Sequence, residues 1–349
     1  MMTMHNDSHE FAAASTSAFA SAPTSDPTSS PTSVARDTQG PAQFPASPLP
    51  FPLCRTIADV RAYDVVDSTN TLAAQLVASD DYAHDRITVV TAREQTAGRG
   101  RLDHTWTSVP DESFIASFIV RLPRSLVTDE LTAGWVSMVP GFATVDALRT
   151  TVRELNLTWR TDAHGNSFEP SLKWPNDVVC QGLKLGGILT QWVGVGLDSA
   201  AVIFGIGLNL NIPADRLPTA QATSLQLVTS AADSAGQDSS SISASHARGV
   251  PHLTDCLAMH MVQQLQMQCE SLIDAPRDTA ARMQSRMNAE CWTLGKPVQA
   301  HLVDGSTLNG TAVALQENAS LAIRLPDGSM RTVTTGDVGV LPEDTHFVL

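Results

Sequence analysis

Hydrophobic positions recur along this chain in two periods, and the alternation between them lays out its elements. Between 131 and 155 the apolar residues Leu131, Trp135, Met138, Phe142, Val145, Leu148, Val152 and Leu155 fall in steps of three and four. That spacing predicts an amphipathic helix, bent at Pro140-Gly141, where proline removes a main-chain donor. Leu253, Leu257, Met261 and Leu265 mark a second helix. VVDSTNTLAAQLVAS (65–79) reads as a strand end, a cap at Asp67 or Ser68, then a helix with Leu72 and Leu76 on one face. RITVVTARE and SFIASFIVRL are β-rich runs on either side of a glycine loop. LKWPNDVVCQGLKLGGILTQWVGVG and AAVIFGIGLNLNI predict two or three further strands. Beyond Cys291 short strands alternate with turns, as in a small barrel of the SH3-like kind. The whole reads as α+β, a larger mixed sheet with flanking helices joined to that barrel.

Two stretches carry too little to bury. Residues 1–50 are rich in Ser, Thr, Ala and Pro, lack the order of a secretory signal, and are expected to form a disordered tail. The Ser-rich stretch at about 229–250 reads as a disordered surface insertion, and a shorter polar stretch spans 161–170. The expected organisation is therefore a tail, a catalytic domain over 54–288, and a barrel over 291–349.

A formal net charge of −14 repels phosphate backbones, so general nucleic-acid binding is not expected, and a bound anion needs a local basic cluster. No apolar run approaches a membrane span. The five cysteines are widely spaced, with no C-x-x-C pair, and read as buried, reduced thiols of a cytoplasmic protein. Among 22 basic residues only Lys173, Lys184 and Lys296 are lysines. Two of them stand close together, where a point charge on a flexible stem does what arginine's planar fork does not.

Two segments carry candidate chemistry. Gly98-Arg99-Gly100-Arg101 lacks the third glycine and following helix of a dinucleotide fingerprint. It reads either as a hairpin tip with solvated arginines or as a loop whose glycines admit a ligand and whose arginines grip phosphate or carboxylate. In KWPNDVVCQGLKLGGIL (173–189), Trp-Pro-Asn-Asp makes a rigid turn, and Lys184 precedes Gly186-Gly187, which permit close backbone approach. A plain hairpin with a surface lysine is the other reading.

Taken in order, STN (68–70), EQTAGRGR with Trp106 beyond, KWPND (173–177), KLGGIL (184–189) and GIGLNLNI (205–212) resemble the biotin protein ligases over roughly 65–212. The resemblance implies a catalytic domain like that of class II aminoacyl-tRNA synthetases. It implies activation of biotin with ATP to biotinyl-5′-AMP and pyrophosphate, then transfer to a lysine of a biotin carboxyl carrier protein, part of a biotin-dependent carboxylase. Mg²⁺ would accompany the nucleotide. By motif, Ser68, Thr69, Asn70 and Gln95 would meet the ureido ring, although Ser68 also suits an N-cap. Arg99, Gly100 and Arg101 would form the ligand loop, and Gly186 and Gly187 would lie against biotin. Lys184 would hold the carboxylate and α-phosphate, forming the catalytic set with Arg99 and Arg101. Lys173 would shape the turn or pair with a neighbour. Asn176 and Asp177 are candidates for nucleotide contacts, Asp177 also for Mg²⁺. Trp106 would cover the adenine or pack in the core, and Asn209 would lie near the phosphates or end a strand.

The chain also departs from that pattern. Asp103 and His104 replace a Gly-Arg pair in the loop, and Pro140 interrupts the long helix. The first fifty residues show no helical periodicity and almost no basic charge, so a monofunctional ligase without a DNA-binding domain is expected. A homodimer is left open. The other readings are a lipoate or octanoate ligase of the related fold and a non-catalytic biotin sensor.

Overall fold

The computed structural model describes residues 51–102, 104–232 and 250–342. The predicted tail, Asp103, residues 233–249 of the predicted insertion and residues 343–349 lie outside the described residues.

The centre is a seven-stranded mixed sheet in the order β1-β2-β3-β8-β7-β6-β5. Its strands are β1 (Asp59–Val66), β2 (Thr88–Gln95), β3 (Ser113–Pro123), β5 (Pro170–Lys173), β6 (Asp177–Cys180), β7 (Leu183–Val195) and β8 (Ser199–Asn209). Only β1 and β2 are parallel, joined through helix α1 (Thr69–Ala78); the other pairs are antiparallel. Residues 172–212 thus contribute four strands rather than two or three. The Trp-Pro-Asn turn separates β5 from β6, and Gln181 and Gly182, both at positive φ (48° and 83°), turn β6 into β7.

Side-chain alternation along β3 and β8 gives the sheet two different faces. Phe114, Phe118, Phe204 and Leu208 point into the main core, against the helices α3 (Ala133–Glu154) and α5 (Val250–Asp274). Short helices α2 (Arg124–Thr128) and α4 (Leu225–Val228) connect these layers. Helix α3 continues through Pro140, and the Thr144 hydroxyl donates to the Pro140 carbonyl at 2.6 Å. The opposite face buries Ile119, Ile203 and Val90 against Ala73 and Leu76 of α1.

Two expected boundaries move. Residues 229–231 are not part of a disordered insertion: strand β9 (Thr229–Ala231) pairs with β4 (Leu157–Trp159), where cross-strand bonds satisfy its backbone. An unanticipated helix α6 (Pro276–Glu290) carries the chain past 288 and packs only Thr279, Ala280, Met283 and Met287 inward.

After it come β10 (Pro297–Leu302), β11 (Thr307–Leu315), β12 (Leu321–Arg324), β13 (Met330–Val333) and β14 (Gly336–Val340). They form a five-stranded antiparallel sheet in the order β13-β12-β11-β10-β14, in keeping with an SH3-like barrel. Two tryptophans tie this sheet to the larger one. Trp135 Nε1 donates to the Glu317 carbonyl at 2.6 Å, and Trp174 Nε1 to that of Ala319 at 2.9 Å. Both rings are buried, so these donors need the partners they have.

Candidate active site

The face that carries α1 is thin where the sequence puts glycine. Along β8, Ile203 is followed on that face by Gly205 and Gly207, and β7 contributes Gly187 beside them. A Cβ on Gly205 would stand 2.0 Å from Asn70 Oδ1, and one on Gly207 would stand 2.5 Å from Trp106 Cε2. The missing side chains leave a cavity of about 840 Å³ with its open mouth included. The start of α1, the glycine loop, β7, β8 and the Gly336-Asp337 end of β14 surround it.

One end is neutral and polar. Ser68, Thr69 and Asn70 are buried where α1 begins. Ser68 occupies the N-cap position but makes no side-chain cap bond, and it lines the cavity. Thr69 N donates to Gln95 Oε1 at 2.8 Å, and Asn70 Nδ2 donates to the Leu189 carbonyl at 3.2 Å and to Gln191 Oε1 at 3.0 Å. Behind them Ser117 Oγ lies 2.7 Å from Thr69 Oγ1 and 2.5 Å from Asn70 Oδ1.

The other end is charged. In β6–β7 the register shifts so that Val178 faces Gly186 but Val179 faces Lys184, leaving Leu185 as the extra residue of a bulge. Without it, side-chain alternation would put Lys184 on the face opposite Gly187. With it, Lys184 shares the cavity face with Gly187 and Asp177. Backbone bonds from Lys184 N to the Gln221 carbonyl (2.7 Å) and from Thr223 N to the Lys184 carbonyl (2.9 Å) hold the bulge from outside.

Asp177 Oδ1 lies 2.7 Å from Lys184 Nζ, and its Oδ2 lies 3.0 Å from Lys173 Nζ. Burial pushes the Asp177 carboxyl upward, but the two ammonium groups outweigh it and hold the carboxyl below its ordinary value. Arg101 Nη1 reaches Asn176 Oδ1 at 3.4 Å, and Asn176 is itself fixed by donating from Nδ2 to the Ile188 carbonyl at 2.9 Å. Desolvation lowers the Arg101 pKa, while Asp337 and Asp177 act in the opposite direction.

The glycine loop forms the hairpin its sequence allowed, with Arg101 half-buried rather than solvated. Trp106 N donates to the Gly98 carbonyl (2.9 Å) and Gly100 N to that of His104 (2.6 Å), closing a small hairpin with Leu102 at its tip. The same hairpin lines the cavity through Arg99, Gly100, Arg101, His104 and Trp106. A Cβ on Gly98 would come within 2.4 Å of the Trp106 carbonyl, so the closure requires glycine there. Trp106 lies over Gly207 with its Nε1 buried and unpartnered.

Thus Ser68, Thr69, Asn70, Gln95, Arg99, Gly100, Arg101, Trp106, Asn176, Asp177, Lys184 and Gly187 come together around one cavity, with Lys173. Gly186 and Asn209 do not line it. A Cβ on Gly186 would meet Leu208 Cδ2 at 2.3 Å, so the close approach there is to β8 rather than to a ligand. Asn209 is buried and donates to the Thr223 carbonyl at 3.0 Å, anchoring the segment that supports Lys184.

Ser117, Gln191, Gly205, Gly207 and Asp337 were not anticipated. The alternating glycines of GIGLN were visible as a gap in one face of a strand. Asp337 arrives from the far end of the chain.

Asp177 offers little to a resident metal, because both its oxygens are committed to lysines. Among the described residues, no group of three His, Cys, Asp or Glu side chains could hold an ion. No described helix is long and apolar enough to cross a membrane.

Residues 62–209 match the profile of the Biotin/lipoate A/B protein ligase family. A biotin--[acetyl-CoA-carboxylase] ligase of Mycobacterium tuberculosis is 26% identical over 279 residues, covering 80% of this chain and 88% of that one. A ligase of the same name from Paracoccus denitrificans is 37% identical over 121 residues, but these make up 35% of this chain and 43% of the relative. Among solved structures, the biotin protein ligase of Aquifex aeolicus in complex with biotin and ATP shares the fold. Its TM-score is 0.54 at 20% identity, over 81% of this chain and 98% of that one. Over residues 62–209 this chain carries a domain of the Biotin/lipoate A/B protein ligase family.

Proposed function

We propose that this chain is a biotin protein ligase, forming biotinyl-5′-AMP from biotin and ATP and passing the biotinyl group to a lysine of a biotin carboxyl carrier domain. One observation carries the reading: the glycine-floored cavity joins a neutral hydrogen-bonding end to a cationic end. Biotin has the matching polarity, a cyclic urea at one end and a carboxylate at the other. A dithiolane would leave the Thr69, Asn70 and Gln95 end without partners, which disfavours lipoate.

In the first step the biotin carboxylate attacks the α-phosphorus, a C–O–P bond forms, and the bond to the β-phosphate breaks, releasing pyrophosphate. Two anions must meet, so the task of the cationic end is to lower their repulsion and stabilise charge on the α-phosphate. Lys184, which lines the cationic end, would meet carboxylate and phosphate there and would exchange Asp177 for them. Arg99 and Arg101 would hold the phosphates from the loop, and Asn176 would orient Arg101. Trp106, over the glycine floor, would shield the intermediate from water. In the second step the carrier lysine's amine attacks the acyl carbonyl, AMP leaves with the bonding electrons, and the amine loses a proton. Mg²⁺, expected from the resemblance, would enter with the triphosphate as part of the substrate, and no step here depends on a metal site of the chain's own.

The test is ATP–pyrophosphate exchange with biotin, with lipoate and with no acid, followed by transfer to a purified carrier domain. Exchange that requires biotin is expected. Exchange with lipoate would move the chain to the sister chemistry, and biotin binding without exchange would make it a sensor.

A further inference from the structure

Counting protons at the neutral end fixes which atoms face the ligand. Asn70 Nδ2 has two hydrogens and two acceptors, the Leu189 carbonyl and Gln191 Oε1, so its Oδ1 can only accept. Ser117, fully buried on β3, lies 2.5 Å from that oxygen and must donate its single hydrogen to it. The 2.7 Å contact between Ser117 Oγ and Thr69 Oγ1 is then made by the Thr69 hydroxyl donating. Gln95 Oε1, 3.1 Å from Thr69 Oγ1, is left with the Thr69 backbone N–H at 2.8 Å. The relay runs one way, from Thr69 to Ser117 to Asn70 to Gln191.

Two consequences reach the cavity. Thr69 Oγ1, its hydrogen turned inward, shows the ligand lone pairs only. Gln95, its oxygen held by the start of α1, turns its amide nitrogen outward, beside Gly98. We propose that Ser117 is a positioning residue for substrate choice, setting Thr69 as an acceptor for a ligand N–H and leaving Gln95 as a donor for a ligand carbonyl. A cyclic urea carries both groups side by side; a lactone or a thiolane alone does not. The assignment rests on the biotin reading above and adds to it which group reads which atom, and what enforces the reading.

Ser117→Ala removes the relay. Thr69 then keeps only the 3.1 Å contact to Gln95 Oε1 for its hydrogen and is no longer held from turning it toward the ligand, where it opposes the ureido N–H, and Asn70 Oδ1 loses its donor. In biotin-dependent ATP–pyrophosphate exchange the KM for biotin should rise by about 10- to 100-fold, the scale of a lost buried hydrogen bond. With Lys184, Arg99 and Arg101 untouched, kcat and the KM for ATP should stay within about 3-fold. Ser117→Thr, which restores a hydroxyl, should recover most of the KM. An analogue methylated on its ureido nitrogens should be strongly disfavoured by the wild type and much less so by Ser117→Ala. If Ser117→Ala does not fold, Thr69→Val removes the acceptor itself and must raise the KM for biotin in the same way. Wild-type exchange with an unchanged KM in these variants, or an equal fall in kcat, overturns the role of Ser117 while leaving the ligase reading intact. Absence of wild-type exchange overturns both.

Discussion

Asp177→Asn is the most informative single change, because it separates what the carboxylate does for the fold from what it does for the ligand. The side chain is 13% exposed and pairs with two lysines, Lys173 at 19% and Lys184 at 42%. Removing one partner of a buried pair costs about 3–5 kcal/mol. Here the cost is smaller, since Lys184 can turn to water and the asparagine oxygen can still accept one hydrogen bond. We expect a loss of about 2 kcal/mol, most of it from Lys173, which corresponds to a fall in Tm of roughly 4 °C for a domain this large.

The sign of the pH dependence follows from the depressed carboxyl. The stabilisation is fully present above the ordinary value of 3.8 and is lost only as pH falls through the lower, folded-state value. The difference between wild type and variant should therefore persist across the neutral and mildly acidic range. Biotin with ATP should raise the Tm of the variant more than that of the wild type, because the bound anion replaces the missing charge. The assay is thermal unfolding followed by circular dichroism, with and without ligands. A variant that melts within about 1 °C of the wild type would refute the reasoning, since the pairs would then carry no net stability.

Gly205→Ala should abolish biotin binding while leaving a folded protein, because its Cβ would stand 2.0 Å from Asn70 Oδ1 and displace that side chain; calorimetric titration with biotin checks it. Lys184→Arg should lose at least about 100-fold in exchange activity despite keeping its charge, because a planar fork does not retrace the ammonium's short swing from Asp177 to a substrate anion. Steady-state exchange rates decide, and activity within about 3-fold of wild type would contradict the swing. All five cysteines are buried, and burial pushes Cys54, Cys180 and Cys269 up to about 12. The folded protein at pH 8 should therefore resist thiol reagents until denaturant is added, as a thiol-counting titration would show.

Much of the site was legible because its chemistry is local. The residues of STN, GRGR and KWPND sit at the ends of elements, where capping, turning and loop closure limit the choice of residue, and their spacing survives in the fold. The long helix was legible from its period, and it continues past Pro140 within a packed environment. Helix α6 was not legible, since its inward face consists of Thr279, Ala280, Met283 and Met287, of which only the two methionines are large and apolar, too few for a hydrophobic stripe to stand out. Ser117 is a single hydroxyl in an apolar strand, and its importance comes from Thr69 and Asn70, nearly fifty residues away in sequence. The bulge at Leu185 could not be read from KLGGIL, because a bulge is a property of two strands. Asp337 needed the barrel to be placed against the sheet before it could meet Arg101.

The two ends of the cavity hold their partners in different ways, and the difference accounts for the chain's use of lysine. At the neutral end every proton of the Thr69, Ser117 and Asn70 relay is committed before a ligand arrives, so the head group meets a fixed pattern and mismatched heads lose. At the charged end, on the proposed reading, the pairs are made to be exchanged. An acidic protein cannot leave two ammonium groups unneutralised in a half-closed cavity, so Asp177 occupies the place of an anion until substrate supplies one. Lys184 can let go by torsions of its own stem, at an exposure that keeps water available during the exchange. Arginine serves at Arg99 and Arg101, which the hairpin carries outside the sheet. On the wall of β5, β6 and β7 the charge moves on its own stem instead, and there stand Lys173 and Lys184, two of the chain's three lysines.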